Sequence, residues 1–294
     1  MPQTFILAAL LGLVFAFFSG SLQNRLRVLF GQNPALVWSL PPLLTAAFAG
    51  AALVAGVLSL PLALSMLAYT SAPVLCVFLA GPNSAKKPGL LDFLAVLLLW
   101  LPLEFGAGSH WVPRPAQGFL HSVAYGIAIL LGLMLFLCFR GFRGMKYVLP
   151  RRPADLWLPL AGFAATAPVL IAVGIPIGFI PLPHLPSAGT GKMAAAVFLI
   201  LAGTALPEEI LFRSLIQNFI GQRRGDNWRS LAAAAFIFGC AHLDNGPQPL
   251  PNWRYMILAT IAGVAYGKVF RKSSTVVSSA LLHTMVDWTK HFFF

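Results

Sequence analysis

Glu208 and Glu209 stand side by side in an otherwise apolar stretch, residues 193–220, and Arg213 follows one helical turn later. A lone charge at the centre of a bilayer costs about 2.5–3.5 kcal/mol on insertion scales, so three such groups in one apolar run point to a use. Later apolar runs carry His242, and the pair His283 and Asp287. These are the groups that activate water. A carboxylate or imidazole takes its proton, and donors meet the charge that develops on the attacked oxygen.

Spacing refines this reading. Glu209 and Arg213 are four apart, which places acid and base on one helix face in the favourable order. Glu208 points roughly 100° away and is free to face another element. Pro207 has no N–H and disturbs the preceding turn; a helix restarting there would aim free N–H groups at Glu208. Phe238 and His242 are four apart, as are His283 and Asp287. A carboxylate one turn from a histidine can fix its tautomer. Each motif alone has a plainer reading: a structural ion pair, a packed histidine, an interfacial pair near the C-terminal end. Depth favours a common site. At 1.5 Å per residue, Glu208 lies roughly 18 Å above Ile220, His242 about 18 Å above Ser230, and His283 and Asp287 roughly 12 and 18 Å above Thr275.

The elements that must position these groups are membrane helices. The chain has 294 residues, 58% hydrophobic and 10% charged, with a mean hydropathy of +0.80. These values exclude an ordinary soluble domain, and the solid apolar runs exclude a β-barrel. The expected fold class is all-α, a polytopic transmembrane helical bundle. Ten spans are expected: 5–22, 36–60, 62–81, 90–106, 119–139, 156–181, 193–220, 230–243, 254–270 and 275–293. With the N-terminus outside, one side collects Arg25, Arg27, Lys86, Lys87, Arg140, Arg143, Lys146, Arg151, Arg152, Arg223, Arg224, Arg229, Lys268, Arg271 and Lys272, 15 of the 20 Lys and Arg residues. The positive-inside rule then puts both termini outside. The net charge of +12 is thus a topology signal and a surface for anionic lipid, and nucleic acid is not an expected partner.

Residues 5–22 lack a basic region before them and an A-x-A-like site after them, and are expected to be an uncleaved helix. Cys76, Cys138 and Cys240 fall in apolar spans without C-x-x-C spacing and read as buried small side chains. The basic, proline-containing stretch 140–155 separates an N-terminal module, 1–150, from a C-terminal core, 151–294. Glu104, with His110 and His121, is the polar feature of the first half, expected at the interface. No internal repeat is visible, which weakens a transporter reading.

Glu-Glu-x-x-x-Arg from Glu208 to Arg213, Phe-x-x-x-His from Phe238 to His242, and His-x-x-x-Asp from His283 to Asp287 together resemble the motif set of the CPBP proteins. These are the CAAX protease and bacteriocin-processing group, also called Abi, which are intramembrane glutamic endopeptidases. The resemblance covers about residues 155–294 and leaves 1–150 outside. It implies that Glu208 and His242 activate water, that Arg213 holds Glu209 in support, that Phe238 is a pocket wall and that His283 stabilises the oxyanion. It also implies no cofactor and no metal. The implied substrate is a peptide or protein, lipidated or membrane-anchored; the overall style of the chain makes a bacterial inner membrane the expected setting. Asp287 stands where the family's prenyl-protein endopeptidases carry asparagine. An ionised carboxylate would repel an oxyanion, so Asp287 is either protonated in its apolar setting or, as the i, i+4 spacing favours, holds a charged His283 that donates.

No side chain among these is an evident nucleophile, since Ser214 has no paired base and Cys240 lies off the face of His242. Direct attack by water is the expected route. The competing readings are a zinc hydrolase using Glu208, His242 and His283, a proton-coupled transporter, and a non-catalytic scaffold or immunity protein.

Overall fold

A computed structural model describes residues 2–82, 87–246 and 249–294; Lys86, assigned above to a basic loop, lies outside them. The described chain is helical and divides into two compact units, Met1–Arg143 and Gly144–Phe294.

The first unit contains α1 (Pro2–Ala16), α2 (Gly20–Gln32), α3 (Pro34–Val54), α4 (Leu60–Ala80), α5 (Leu90–Glu104) and α6 (Arg114–Phe139). α3 packs on α4, α4 on α5, and α6 on α1, α3 and α5. Its most buried charges pair with each other: Arg140 Nε lies 2.8 Å from Asp92, at 2% and 0% side-chain exposure. Arg140 also donates to the Ala80 and Gly81 carbonyls that end α4. Of the polar residues of the first half, Glu104 accepts from Trp100 Nε1 at 2.8 Å, and His121 stacks on Tyr125.

The second unit is built from α7 (Ala154–Gly174), α8 (Thr190–Arg224), α9 (Trp228–Cys240), α10 (Trp253–Lys272) and α11 (Val276–Phe293). Side chains start the last three: Asn227 accepts from the N–H of Arg229 and Ser230, Asn252 from Tyr255, and Thr275 from Val277. Such caps satisfy N–H groups that a helix start leaves without partners. α9 and α10 pack closely, and α7 lies against α10 and α11. Their approach depends on small residues: a Cβ at Gly239 would overlap the Thr260 side chain and come within 2.7 Å of the Met256 carbonyl.

The ends of these helices are tied together. Lys146 Nζ donates to the carbonyls of Phe270, Arg271 and Ser273 at 2.6–3.1 Å, closing α10. Burial lowers the pKa of this ammonium, opposed by the charge of Asp226. Asp155 accepts from the N–H of Arg151, Arg152 and Ser274 and from the Ser274 hydroxyl, which fixes the start of α11. Arg271 pairs with Asp226 at 2.8 Å. These contacts gather the basic segment 146–152, the end of α8, the start of α9 and the end of α10 at one end of the unit.

Three expectations are corrected. Among the described residues five helices, not ten, are long and apolar enough to cross a membrane, or six if α1 and α2 form one broken span. α1 and α2 meet at 82°, so residues 5–22 are not one straight helix. α5 has 15 residues and α9 has 13, short of the roughly 20 that a straight crossing needs. α10 and α11 have 20 and 18 residues, but Arg254, Lys268, His283, Asp287 and Lys290 dilute their apolar character. Placing both termini outside by counting ten crossings therefore loses its basis. The third correction concerns α8, which runs through Pro207 without restarting. π-Helical turns at Leu201–Ala205 and Ile210–Gln217 flank the short α-helical piece Leu206–Glu209. The wider turn makes room for the proline ring, which an α-helix would press against the carbonyl four residues back. No free helix start faces Glu208.

Candidate active site

Four helices of the second unit supply the site. On α8, Glu209 and Arg213 form an ion pair of 3.1 Å with both side chains fully buried. Arg213 also donates to Gln217 at 3.4 Å, and Gln217 donates to the Gly267 carbonyl of α10 at 3.1 Å. The guanidinium lies 5.0 Å from the ring centre of Phe238 and 6.0 Å from that of Tyr266. A buried cation is thus neutralised on one side and faced by π-electrons on the other.

His283 of α11 is where the acids meet. Its Nδ1 lies 3.3 Å from Glu209 Oε1. Its Nε2 lies 3.4 Å from Asp287 Oδ2 and 3.9 Å from Glu208 Oε2. The ring stacks on Tyr266, 4.6 Å between centres, and meets Phe238 edge-on at 5.8 Å. Glu209 is sealed, whereas Glu208 and Asp287 keep 22% and 29% of their side-chain surface accessible. Carboxylates only accept, so both ring nitrogens face acceptors; the Nδ1 contact is an ion-pair approach without hydrogen-bond geometry.

His242 sits in the turn just beyond α9, which ends at Cys240. Its Nδ1 is 2.8 Å from the Phe238 carbonyl. A carbonyl only accepts, so Nδ1 carries the proton and Nε2 is left as the lone-pair nitrogen. The ring contacts Phe238 at 4.7 Å and Tyr255 at 4.5 Å. Phe238 therefore touches both imidazoles and the guanidinium. His242, His283, Asp287, Tyr255 and Tyr266 wall one cavity of ≈ 80 Å³, large enough for several waters. A wider space of ≈ 530 Å³ adjoins it, bounded by Ala196, Leu199, Ile200 and Thr204 of α8. The two share Phe179, Ile180, Tyr255, Asp287, Lys290 and Phe294 as walls.

The structure thus brings Glu208, Glu209, Arg213, Phe238, His283 and Asp287 into one contact network, with His242 joined through Phe238. The acid contact of Glu208 is with His283. Tyr255, Tyr266, Gln217 and Lys290 were missed by the sequence reading. Tyr255 and Tyr266 are eleven apart, three turns of α10, and so share a face; that spacing was the available signal. Among the described residues, no group of three His, Cys, Asp or Glu side chains is placed to hold a metal ion. Ser214 donates to the Met145 carbonyl at 2.6 Å and is committed to structure. Cys76 and Cys138 are buried, and Cys240 is partly exposed.

No curated protein and no solved structure matches the chain. A family model does match part of it: residues 190–289 fit the model described as type II CAAX prenyl endopeptidase, Rce1-like. The match covers about a third of the chain, from the start of α8 into α11, and spans Glu208, Glu209, Arg213, Phe238, His242, His283 and Asp287. Residues 190–289 therefore carry an Rce1-like CAAX-protease domain.

Proposed function

We propose that the second unit is an intramembrane endopeptidase that hydrolyses a peptide bond of a lipidated or membrane-anchored substrate with activated water. The convergence of three carboxylates on His283, beside a cavity shared with His242, carries this reading.

In this mechanism Glu208, with the free Nε2 of His242, takes the proton from a water that attacks the scissile carbonyl carbon. His283 donates from Nε2 to the resulting oxyanion, its positive charge balanced by Asp287 and Glu209. Collapse of the tetrahedral intermediate breaks the C–N bond, and the proton held by Glu208 passes to the departing amine. Glu209 does not meet substrate; with Arg213 it fixes the ring of His283. Phe238 and Tyr266 hold both imidazoles in register and keep bulk water from the ion pair. The basic end of the unit faces the cytoplasm of a bacterial inner membrane, following the positive-inside rule.

The test uses purified protein and a set of lipidated peptides, with cleavage followed by mass spectrometry. Glu208→Gln keeps the side-chain shape and removes the base. A general base typically contributes 10²–10⁴-fold, so cleavage should fall by at least about a hundredfold, with thermal stability near that of the parent. Parent-like cleavage by Glu208→Gln would remove Glu208 from the mechanism.

A further inference from the structure

The first unit encloses a cavity of ≈ 680 Å³ that takes no part in the proposed hydrolysis. Its size is that of a small-molecule site. The walls come from residues 62–69 of α4, the end of α5, the turn 106–112 and residues 117–124 of α6. α4 and α6 are long and apolar enough to cross a membrane. At the opposite end of the unit Arg140 pairs with Asp92, and Arg27 donates to the Leu137 carbonyl. The positive-inside rule therefore sets the cavity toward the outer leaflet, where lipid is the available occupant.

The polar part of the lining selects among lipids. Among the described residues, no Asp, Glu, Lys or Arg side chain lines the cavity, so a phosphate or carboxylate head would lie there without a counter-charge. The Ser65 and Tyr69 hydroxyls spend their protons on the Leu62 and Leu99 carbonyls, at 2.8 and 2.6 Å. The Gln117 amide donates to the Ser109 and Val112 carbonyls, at 3.2 and 2.8 Å. Each of the three keeps an oxygen that can accept. Trp111 is 44% exposed, and its indole N–H, which can only donate, has no hydrogen-bond partner among the described residues. Ser65 Oγ and the Trp111 ring lie together against Gly108, within 3.8 Å of the place a Cβ would take there. A matching head brings hydroxyl donors and a carbonyl acceptor at once. A glycerol ester has both; a quinone has acceptors alone.

We infer that this cavity binds a neutral acylglycerol lipid. Its hydroxyls donate to Ser65 and Gln117, its ester carbonyl accepts from Trp111, and its acyl chain runs against Phe48, Met66 and Leu120. The walls along α6 extend from Gln117 to Ala124, about 10 Å of rise, which leaves depth for the chain beyond the head.

Native mass spectrometry of the full chain in detergent micelles tests this. Monooleoylglycerol should bind about tenfold tighter than methyl oleate, which keeps the chain and ester but has no hydroxyl; that ratio is the scale of one or two hydrogen bonds. Oleate, oleoyl-lysophosphatidylglycerol and decylubiquinone should bind no better than methyl oleate. A Cβ at Gly118, in the cavity wall, meets nothing within 4 Å. Gly118→Phe therefore grows into the space and should weaken binding at least tenfold with a parent-like melting temperature, whereas Gly118→Ala should retain it. A monoacylglycerol with a diazirine in its chain should, on irradiation of the parent protein, label α4 and α6 within residues 62–124; this arm needs no variant. Equal binding of methyl oleate, of either charged lipid or of decylubiquinone would overturn the inference. So would affinity that survives Gly118→Phe in a folded protein, or labelling confined to other residues.

Discussion

Replacing Arg213 by leucine should destabilise the second unit more than any other single change at the site. The substitution keeps most of the apolar stem but leaves the carboxylate of Glu209, fully buried, without its guanidinium partner. Removing one partner of a buried ion pair costs about 3–5 kcal/mol. Loss of the Phe238 contact adds about 1 kcal/mol, and Gln217 loses its donor. For a unit of this size each kcal/mol lowers the melting temperature by about 2–4 °C, so the total shift should be on the order of 10 °C. Thermal unfolding in detergent, followed by tryptophan fluorescence, reads it directly. Glu209→Gln should cost less, about 1–3 kcal/mol, because its amide can still accept from Arg213. The double variant Glu209→Leu/Arg213→Leu should recover much of the loss, because no lone charge then remains buried. An Arg213→Leu melting temperature within 2 °C of the parent, or a double variant as weak as the sum of its parts, would refute the electrostatic account.

Two other outcomes follow from the geometry. Gly239→Ala should separate α9 from α10 and lower stability by about 1–3 kcal/mol, with a loss of activity larger than stability alone explains, because His242 lies three residues on; a circular-dichroism melt and a cleavage assay together check this. Asp287→Asn should keep substantial activity, because the amide oxygen can still accept from His283, whereas Asp287→Leu should lose it; comparing initial rates at matched protein abundance decides the point.

The parts of the molecule legible in its sequence are those set by local spacing. Glu209 with Arg213 and His283 with Asp287 lie one turn apart, and helix geometry alone brings them together. Besides the short α5 and α9, the span count failed in part for the same reason that the site exists. α10 and α11 spend apolar positions on Lys268, His283, Asp287 and Lys290, so the helices that carry the chemistry read as less membrane-like than their neighbours. The break at residues 17–19 was hidden because the apolar run before it extends through Phe17 and Phe18, although the helix beyond it, Gly20–Gln32, is largely polar. The contact of Glu208 with His283 depends on how α8 and α11 pack, and the π-helical turns around Glu208 leave no mark that simple periodicity detects. Tyr255 and Tyr266 were passed over because each is unremarkable by type; only their shared face, and the imidazoles packed against them, give them a role.

The ring of His283 also divides the unit into two environments. One nitrogen looks toward acids within reach of solvent, and the other toward a sealed salt bridge. Deuterium from the medium should therefore replace the proton on Nε2 quickly and the one on Nδ1 slowly. An imidazole stacked on Tyr266 and flanked by carboxylates on both edges cannot turn over without displacing its neighbours, so the same nitrogen would meet the substrate at every turnover.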